Sequence, residues 1–325
     1  MHMPPSVASR APDTEHASFA EDVAYYLSLT PRQLPSRYFY DELGSALFET
    51  ICRLPWYLIT RTERAMLQCH ARAILSRTGH IATFIELGPG GGEKLLTLVA
   101  AHDRHDLNVH LVDVSPAALH MATRTLAVHP EVAVASHQAT YEAGLVEFAR
   151  RPRAGGRSMA LFLGSNIGNF DAPGAAAFLH NVRAAVRAGD ALLIGVDLVK
   201  PKERLLLAYD DPLGVTAAFN RNLIVRINRE LGASIELEAF SHRAVWSEAP
   251  SRVEMHLVAR RAVAVRIPRA ELDLRLQPGE FIWTESSYKY VAQDVSGLLQ
   301  SCGFRPTAQW IDRDDGFALT LAEAF

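Results

Sequence analysis

One stretch constrains the fold of this chain more than any other, the segment Phe84-Ile-Glu-Leu-Gly-Pro-Gly-Gly-Gly-Glu-Lys94. An apolar run ends at Glu86, four glycines lie between Gly88 and Gly92, and a helix-like stretch follows from Lys94. This pattern predicts a strand, a tight turn and a helix N-terminus, where a Cβ would keep the backbone from closing on a ligand. Glutamate replaces the third glycine of the dinucleotide fingerprint, which favours an S-adenosylmethionine (SAM) site over a nicotinamide site. A glycine-rich loop that binds nothing is the alternative.

A regular alternation of strands and helices surrounds this turn. Ser115 and Pro116 have the residue types of a helix N-cap and first helical position. Alternation of this kind is typical of an α/β fold with a parallel sheet and helices on both faces. The apolar runs that predict strands are 81–87, 108–114, 132–135, 158–163 and 191–198, and predicted helices include 93–101 and 172–188.

The alternation breaks on both sides of this core. Before it, the sequence predicts a helix over 19–29, and a second helix that ends near Arg77 and is capped by Thr60 or Thr62. After it come a helix-rich stretch (204–228), β-type stretches (252–267 and 279–290), a helix (291–302) and a closing hairpin (310–311 with 317–321). We therefore predict a main domain (62–198 plus 288–325), a smaller α+β lobe (18–61 plus 199–287) and a flexible N-terminus (1–17).

Composition excludes several classes of protein. The net charge of −3 and the lack of a basic run give no electrostatic footprint for nucleic acid. Three distant cysteines and thirteen scattered histidines show neither a disulfide framework nor metal-ligand spacing. No apolar stretch approaches the ~20 residues that cross a bilayer. We expect a cytoplasmic protein, monomeric, without a metal, that binds small molecules and neither nucleic acid nor membrane.

Three polar positions near predicted strand ends suggest how a nucleoside cofactor would be held. Asp113 ends the second strand about 20 residues after the glycines, where a carboxylate can accept ribose hydroxyls. It can instead cap the next helix, although Ser115 suits that role better. Tyr141 can stack on adenine, with Thr140 beside it. Lys94 opposes the helix dipole, which suggests a partner such as the cofactor carboxylate, the alternative being a solvated lysine.

Seven motifs spread along the chain carry a family resemblance. The chain resembles the histidine-specific Nα-methyltransferases of ergothioneine biosynthesis from about residue 20 to its end. The motifs are Arg53-Leu-Pro-Trp-Tyr-Leu-Ile-Thr-Arg-Thr-Glu63, Phe162-Leu-Gly-Ser-Asn-Ile-Gly-Asn169, Gly195-Val-Asp-Leu-Val-Lys200, Ala208-Tyr-Asp-Asp211, Gly214-Val-Thr-Ala-Ala-Phe-Asn-Arg-Asn222, Arg252-Val-Glu-Met-His-Leu257 and Thr284-Glu-Ser-Ser-Tyr-Lys-Tyr290.

The resemblance implies a Rossmann-like SAM-dependent methyltransferase domain with a substrate-binding lobe. It implies three methyl transfers from SAM to the α-amine of L-histidine, through mono- and dimethylated forms, to give hercynine. The expected cofactor contacts are Tyr40, Gly88, Gly90, Lys94, Asp113, Thr140, Tyr141 and Gly164. The expected histidine contacts are Tyr57, Asn169, Tyr209, Phe219, Met255, Glu285 and Ser287. The family usually has an acidic residue at the position of Thr140.

The residue types suit these roles. Asn169 and Tyr209 are neutral donors for an amino-acid carboxylate. Glu285 and Ser287 are two apart, so on a strand they face the same side and can hold the two imidazole nitrogens. Tyr40 or Tyr57 can position the amine or carry its proton away, and water is an alternative. A substrate such as a tryptophan derivative would not need the Glu285 and Ser287 pair. A nicotinamide-dependent oxidoreductase is disfavoured, because no Tyr-x-x-x-Lys pair follows the fourth strand.

Overall fold

The computed structural model describes residues 12–102, 107–151 and 155–325, with the backbone alone for 12–18. Most of the expected flexible segment, 1–11, lies outside the described residues, and 12–17 belong to a helix that begins earlier than predicted. The helices are α1 (Pro12–Ser28), α2 (Glu42–Ile51), α3 (Leu58–Thr78), α4 (Glu93–Ala100), α5 (Pro116–Leu126), α6 (Tyr141–Arg150), α7 (Ala172–Ala185), α8 (Lys202–Tyr209), α9 (Val215–Leu231) and α10 (Ala292–Ser301).

The strands form two larger sheets and one separate hairpin. They are β1 (Arg32–Gln33), β2 (Ile81–Leu87), β3 (Asn108–Asp113), β4 (Ala133–Gln138), β5 (Arg157–Phe162), β6 (Ala191–Asp197), β7 (Phe240–Ser247), β8 (Arg252–Ala259), β9 (Val263–Ile267), β10 (Leu272–Leu276), β11 (Phe281–Tyr288), β12 (Phe304–Asp312) and β13 (Phe317–Ala324).

The main sheet has seven strands in the order β12-β13-β6-β5-β2-β3-β4. Strands β2 to β6 pair in parallel, whereas β13 runs antiparallel to both β6 and β12. Every residue of β2 and β6 is buried, as expected for parallel strands covered on both faces. This order confirms the predicted Rossmann-like α/β domain, and the β12–β13 hairpin is the predicted closing hairpin, longer than expected.

The strand order places a ligand site beside β2. The chain proceeds from β2 to β3 and β4 on one side, and then returns to build β5 and β6 on the other. The carboxyl ends of β2 and β5 therefore lie at the switch point, where open α/β sheets bind ligands. The glycine turn follows β2 and the segment from Gly164 follows β5, so the two loops meet at this point.

A second sheet has the order β1-β11-β8-β7, with the β9–β10 hairpin beside it. In chain order, β1 precedes the first strand of the main sheet, and β7, β8 and β11 follow β6. This order agrees with a lobe built from an N-terminal segment and an insertion after β6. Three of the lobe strands, β1, β7 and β10, were missed, as was helix α6. In β7 most side chains are partly exposed and polar residues interrupt the apolar alternation, so its period is weak. The exact domain boundaries stay a prediction.

The predicted cap of α3 is wrong. The helix begins at Leu58 with Tyr57 at the N-cap position, so Thr60 and Thr62 lie inside its first turns. The Thr62 hydroxyl is buried and donates instead to Asp315 Oδ2 over 2.8 Å. The prediction for α5 is confirmed, because Ser115 caps that helix and Pro116 is its first residue.

Candidate active site

The glycine turn leaves no room for a side chain at its first glycine. Gly88 has φ +75°, and an added Cβ would lie 2.7 Å from Tyr141 Oη and 2.9 Å from Asn166 Nδ2. A carbon cannot approach either atom so closely, so Gly88 allows the loops after β2, β4 and β5 to converge. Gly90 and Gly92 also have positive φ, of +52° and +82°. These loops form the floor expected beneath a nucleoside cofactor.

Two of the expected cofactor residues also stabilise their own loops. Asp113 Oδ1 accepts from the Ser115 amide over 2.8 Å, and burial raises the pKa of Asp113 to about 6. Thr140 caps α6, because its hydroxyl accepts from the Ala143 amide over 3.3 Å. The Asp113 carboxylate does not cap α5, so the alternative of an N-cap role for it is wrong. Thr140 keeps its expected place beside Tyr141 but has a structural bond of its own.

Lys94 has a protein partner that the sequence did not suggest. Its ammonium lies 2.8 Å from Glu63 Oε2, and Glu63 is wholly buried. The same carboxylate accepts from the Gly164 amide over 2.7 and 2.9 Å. Lys94 is therefore not the solvated lysine of the alternative reading. The ion pair joins α3 and α4 to the loop after β5, and the Lys94 Nζ would be 3.1 Å from a Cβ on Gly164.

Glu86 carries a buried carboxylate with no hydrogen-bond partner among the described residues. It lies next to the glycine turn at the end of β2, and its side chain is inaccessible to solvent. Burial raises its pKa to about 8, although the nearby Lys94 opposes that rise. An unpartnered buried acid is expensive, so its presence at a ligand site indicates a functional role.

A cavity of about 510 Å³, counted with its open mouth, lies between the second sheet and the loop after β5. All seven expected histidine contacts line it, together with Tyr40 and Gly164 from the expected cofactor set. The other expected cofactor residues, Gly88, Gly90, Lys94, Asp113, Thr140 and Tyr141, are not among its lining residues.

Aromatic side chains form one side of this cavity. We call Tyr40, Phe48, Tyr57, Tyr209 and Phe219 the aromatic wall. Its members contact one another in a chain, with ring centroids 5.5 Å apart for Tyr40 and Phe48, 6.2 Å for Phe48 and Tyr57, and 6.3 Å for Tyr57 and Tyr209. Burial raises the pKa of Tyr40 and Tyr57 well above the ordinary value, so both phenols are neutral at physiological pH.

Polar groups from β11, α9 and the loop after β5 also line the cavity. Glu285 and Ser287 both line the cavity, so the expectation that they face the same side is confirmed. Burial raises the pKa of Glu285 to about 7, and its carboxylate makes no hydrogen bond or ion pair with the described part of the chain. The hydroxyl of Thr216 is buried and lines the same cavity, beside the Asp211 carboxylate, which accepts from the Thr216 amide over 2.7 Å. Asn169 lines the cavity but is itself exposed.

Sequence reasoning missed several residues of this site. Phe48 and Thr216 lie on the cavity wall, and Glu63 binds Lys94, yet none of them was assigned a role. Thr216 and Glu63 lie within two of the seven motifs, so the motifs contained a signal. Phe48 lies on α2, whose apolar face gave no reason to separate this residue from ordinary core packing.

Two general features of the described residues bear on partners. They contain no group of three or more His, Cys, Asp or Glu side chains arranged to hold a metal ion. Among the described helices, none is long and apolar enough to cross a membrane.

Comparison with known proteins agrees with the geometry. The family described as histidine-specific, SAM-dependent methyltransferases matches residues 19–324. A histidine N-alpha-methyltransferase of Mycolicibacterium smegmatis is 38% identical over 96% of this chain and 97% of its own length. One of Mycobacterium tuberculosis is 39% identical over 95% and 96%. Ergothioneine biosynthesis protein 1 of Schizosaccharomyces pombe is 28% identical over 87% of this chain and 38% of its own length. The chain belongs to the family of histidine-specific, SAM-dependent methyltransferases.

Proposed function

We propose that this protein transfers three methyl groups from SAM to the α-amino group of L-histidine. The product is hercynine, which serves ergothioneine biosynthesis. The observation that carries the proposal is the Glu285 carboxylate, which has no protein partner among described residues and faces a cavity lined by all the other expected histidine contacts. The names of the two mycobacterial relatives support the same substrate.

The residues at the carboxyl ends of β2 to β5 fit SAM. Gly88 leaves open the space that a Cβ would fill, and the Asp113 carboxylate ends the neighbouring strand. We propose that Gly88, Gly90, Asp113, Thr140 and Tyr141 hold the nucleoside part. Tyr40, Lys94 and Gly164 are proposed to contact the amino-acid part of SAM, because Tyr40 and Gly164 also line the substrate cavity. The Lys94 charge is already paired with Glu63, so Lys94 acts there through its place beside Gly164.

The imidazole end of histidine meets Glu285, Ser287 and Thr216 in this proposal. An ionised carboxylate accepts the N–H of the ring, and a hydroxyl can donate to the other nitrogen or accept from it. Glu285 is suited to this contact because a bound ring would supply the partner that its carboxylate lacks among the described residues, and the buried Thr216 hydroxyl lines the same cavity. Met255 and Phe219 pack against the apolar faces of the ring, and both are buried.

The carboxylate end meets Asn169 and Tyr209, and the amine lies toward the aromatic wall. SAM supplies an electrophilic methyl group, and the task of the chain is to hold a neutral amine in line with it. Tyr40 and Tyr57 keep their phenolic hydrogens, so each can accept a hydrogen bond from the amine and pass a proton to water. The aromatic wall stabilises the increasingly methylated ammonium through its ring faces.

The test is incubation of the purified protein with SAM and a panel of amino acids, with products identified by mass spectrometry. Histidine carrying three added methyl groups is expected, with mono- and dimethylated intermediates at early times. Methylation of another amino acid alone, such as a tryptophan derivative, would contradict the substrate. No methylation of any amino acid would contradict the proposed reaction.

We also propose that the enzyme acts as a cytoplasmic monomer, without a metal and without nucleic-acid or membrane partners. The net charge of −3 supports the lack of a nucleic-acid partner. Light scattering of the purified protein, with and without SAM, tests the monomer. A mass of twice 35.8 kDa would contradict it.

A further inference from the structure

Lys289 is a buried lysine behind the cavity wall, and it holds two residues that line the cavity. Its ammonium lies 2.8 Å from Tyr209 Oη, 2.8 Å from Ser287 Oγ and 3.0 Å from Asp197 Oδ2. The side chain is wholly inaccessible to solvent. Burial works against its charge, but Tyr209 and Asp197 prevail, so the pKa of Lys289 is raised. We call Tyr209 and Ser287 the hydroxyl pair.

The ammonium determines how the hydroxyl pair can use its hydrogens. An ammonium has three donors and no acceptor, and the three neighbours of Lys289 take all three. Both hydroxyl oxygens therefore accept from Lys289. The two oxygens are also 2.7 Å apart, so one hydroxyl donates to the other. Burial raises the pKa of Tyr209, so its phenol is neutral and carries a hydrogen. Of the two hydroxyl hydrogens, one remains for a ligand in the cavity.

We propose that Lys289 is a positioning residue: Ser287 donates to Tyr209 and keeps a lone pair for the imidazole, and the remaining hydrogen, on Tyr209, is directed toward a carboxylate oxygen of the substrate. This inference rests on the proposed function, because it takes an amino acid as the occupant of the cavity. A carboxylate oxygen only accepts hydrogen bonds, so it suits a hydroxyl whose oxygen is already engaged. The positive charge, one hydrogen bond behind the hydroxyl pair, strengthens donation to an anion.

The backbone around Lys289 joins the two sheets. Its amide donates to Ser251 O over 2.7 Å, in the turn between β7 and β8. The next residue, Tyr290, donates to Asp197 O over 3.0 Å and accepts from the Val199 amide over 3.0 Å, at the end of β6. The Lys289 ammonium makes a second link between the sheets, because it pairs with the Asp197 carboxylate at the end of β6. The hydroxyl pair is therefore held in a fixed place relative to the main sheet, which carries the cofactor residues.

The test compares Lys289→Met with Lys200→Met on two ligands. Lys200 is the matched control, because its ammonium also pairs with Asp197, over 2.6 Å, but has no hydrogen bond to the hydroxyl pair. The ligands are L-histidine, measured by its KM, and histamine, which lacks the carboxylate, measured as a competitive inhibitor. Lys289→Met is expected to raise the histidine KM about tenfold or more and to leave the histamine inhibition constant within about twofold. Lys200→Met should leave both constants near wild type.

An unchanged histidine KM in Lys289→Met would overturn the proposal. An equal rise in the histidine KM and in the histamine inhibition constant would also overturn it, because that result indicates only a structural role. If Lys289→Met does not fold, the double variant Lys289→Met with Asp197→Asn is measured instead, since it removes a buried carboxylate charge that has lost one of its two lysine partners. Wild-type substrate choice is measured first. If another amino acid is methylated, the proposed function fails, and the Lys289 comparison is made with that amino acid and its decarboxylated amine.

Discussion

The unpartnered Glu86 gives the sharpest physical prediction. Replacement by glutamine keeps the shape and removes the ionisable group. In the folded chain the pKa of Glu86 is about 8, against an ordinary value of 4.5. At pH 7 the unfolded chain has released this proton and the folded chain retains it. A raised acid pKa contributes stability that is complete below about pH 4.5 and is lost as pH rises to about 8.

The size of the effect follows from the two pKa values. At pH 7 the free energy of unfolding of the wild type is about 3 kcal/mol lower than that of a chain with a permanently neutral group at this position. For a chain of 325 residues, this corresponds to a Tm increase of about 4 °C in Glu86→Gln. The difference should shrink to a few tenths of a kcal/mol at about pH 4.5, where the carboxyl is half ionised in the unfolded chain and neutral in the fold, and it should vanish at lower pH.

The assay is thermal unfolding of the ligand-free protein between pH 4.5 and pH 8, monitored by circular dichroism. Glu238→Gln is the control, because Glu238 is exposed and its replacement should leave Tm unchanged at each pH. A stabilisation in Glu86→Gln that is independent of pH would refute the reasoning, and so would a loss of stability at pH 7. A loss of stability would mean that the Glu86 carboxylate is ionised in the fold and has a partner, whereas a pH-independent gain would mean that its pKa is not raised by folding.

Three further predictions concern the site. Glu285→Gln should raise the histidine KM about tenfold or more, because a charge-assisted hydrogen bond is lost, while the SAM Kd from calorimetry stays unchanged; equal histidine affinity would contradict the imidazole contact. Gly88→Ala should weaken SAM binding at least about tenfold, since its Cβ would lie 2.7 Å from Tyr141 Oη. Gly279→Ala is its control, with a similar φ of +87° and open space around the Cβ, and equal SAM affinity in the two variants would refute the steric argument. Dialysis against EDTA should leave methylation unchanged, whereas a loss that added zinc restores would contradict the expectation of no metal.

Local pattern was enough for the main sheet and for the placement of Glu285 and Ser287 on one side of a strand, whereas the other expected histidine contacts came from the family resemblance. The apolar runs of β2, β5 and β6 are continuous because both faces of a parallel sheet are buried, so their places could be predicted within a few residues. The pair Glu285 and Ser287 faces one side because a strand has a period of two. The strand β7 was missed because its partly exposed residues do not alternate clearly.

Partners far apart in the chain could not be predicted in this way. Lys94 was expected to need a negative partner, and the reasoning from the helix dipole was physical, but its partner Glu63 lies on another helix. Which carboxylate reaches the ammonium depends on how α3 packs on α4. The cap of α3 was predicted wrongly for a related reason, since Thr62 is drawn inward to Asp315 by contact with the β12–β13 turn.

By itself the sequence determined the alternating α/β core and the glycine turn, because strand period and turn chemistry are properties of neighbouring residues. Through the order of its motifs it also indicated part of the cavity lining. Only the tertiary structure decided that the Glu86 carboxylate has no hydrogen-bond partner in the described part of the chain, that Glu63 pairs with Lys94, and that Lys289 lies behind Tyr209 and Ser287. These features depend on which distant segments exclude water from a group and which reach it with a hydrogen bond. The glycine turn marks where the cofactor belongs, and the contacts between sheets decide which hydrogen the cavity offers to its ligand.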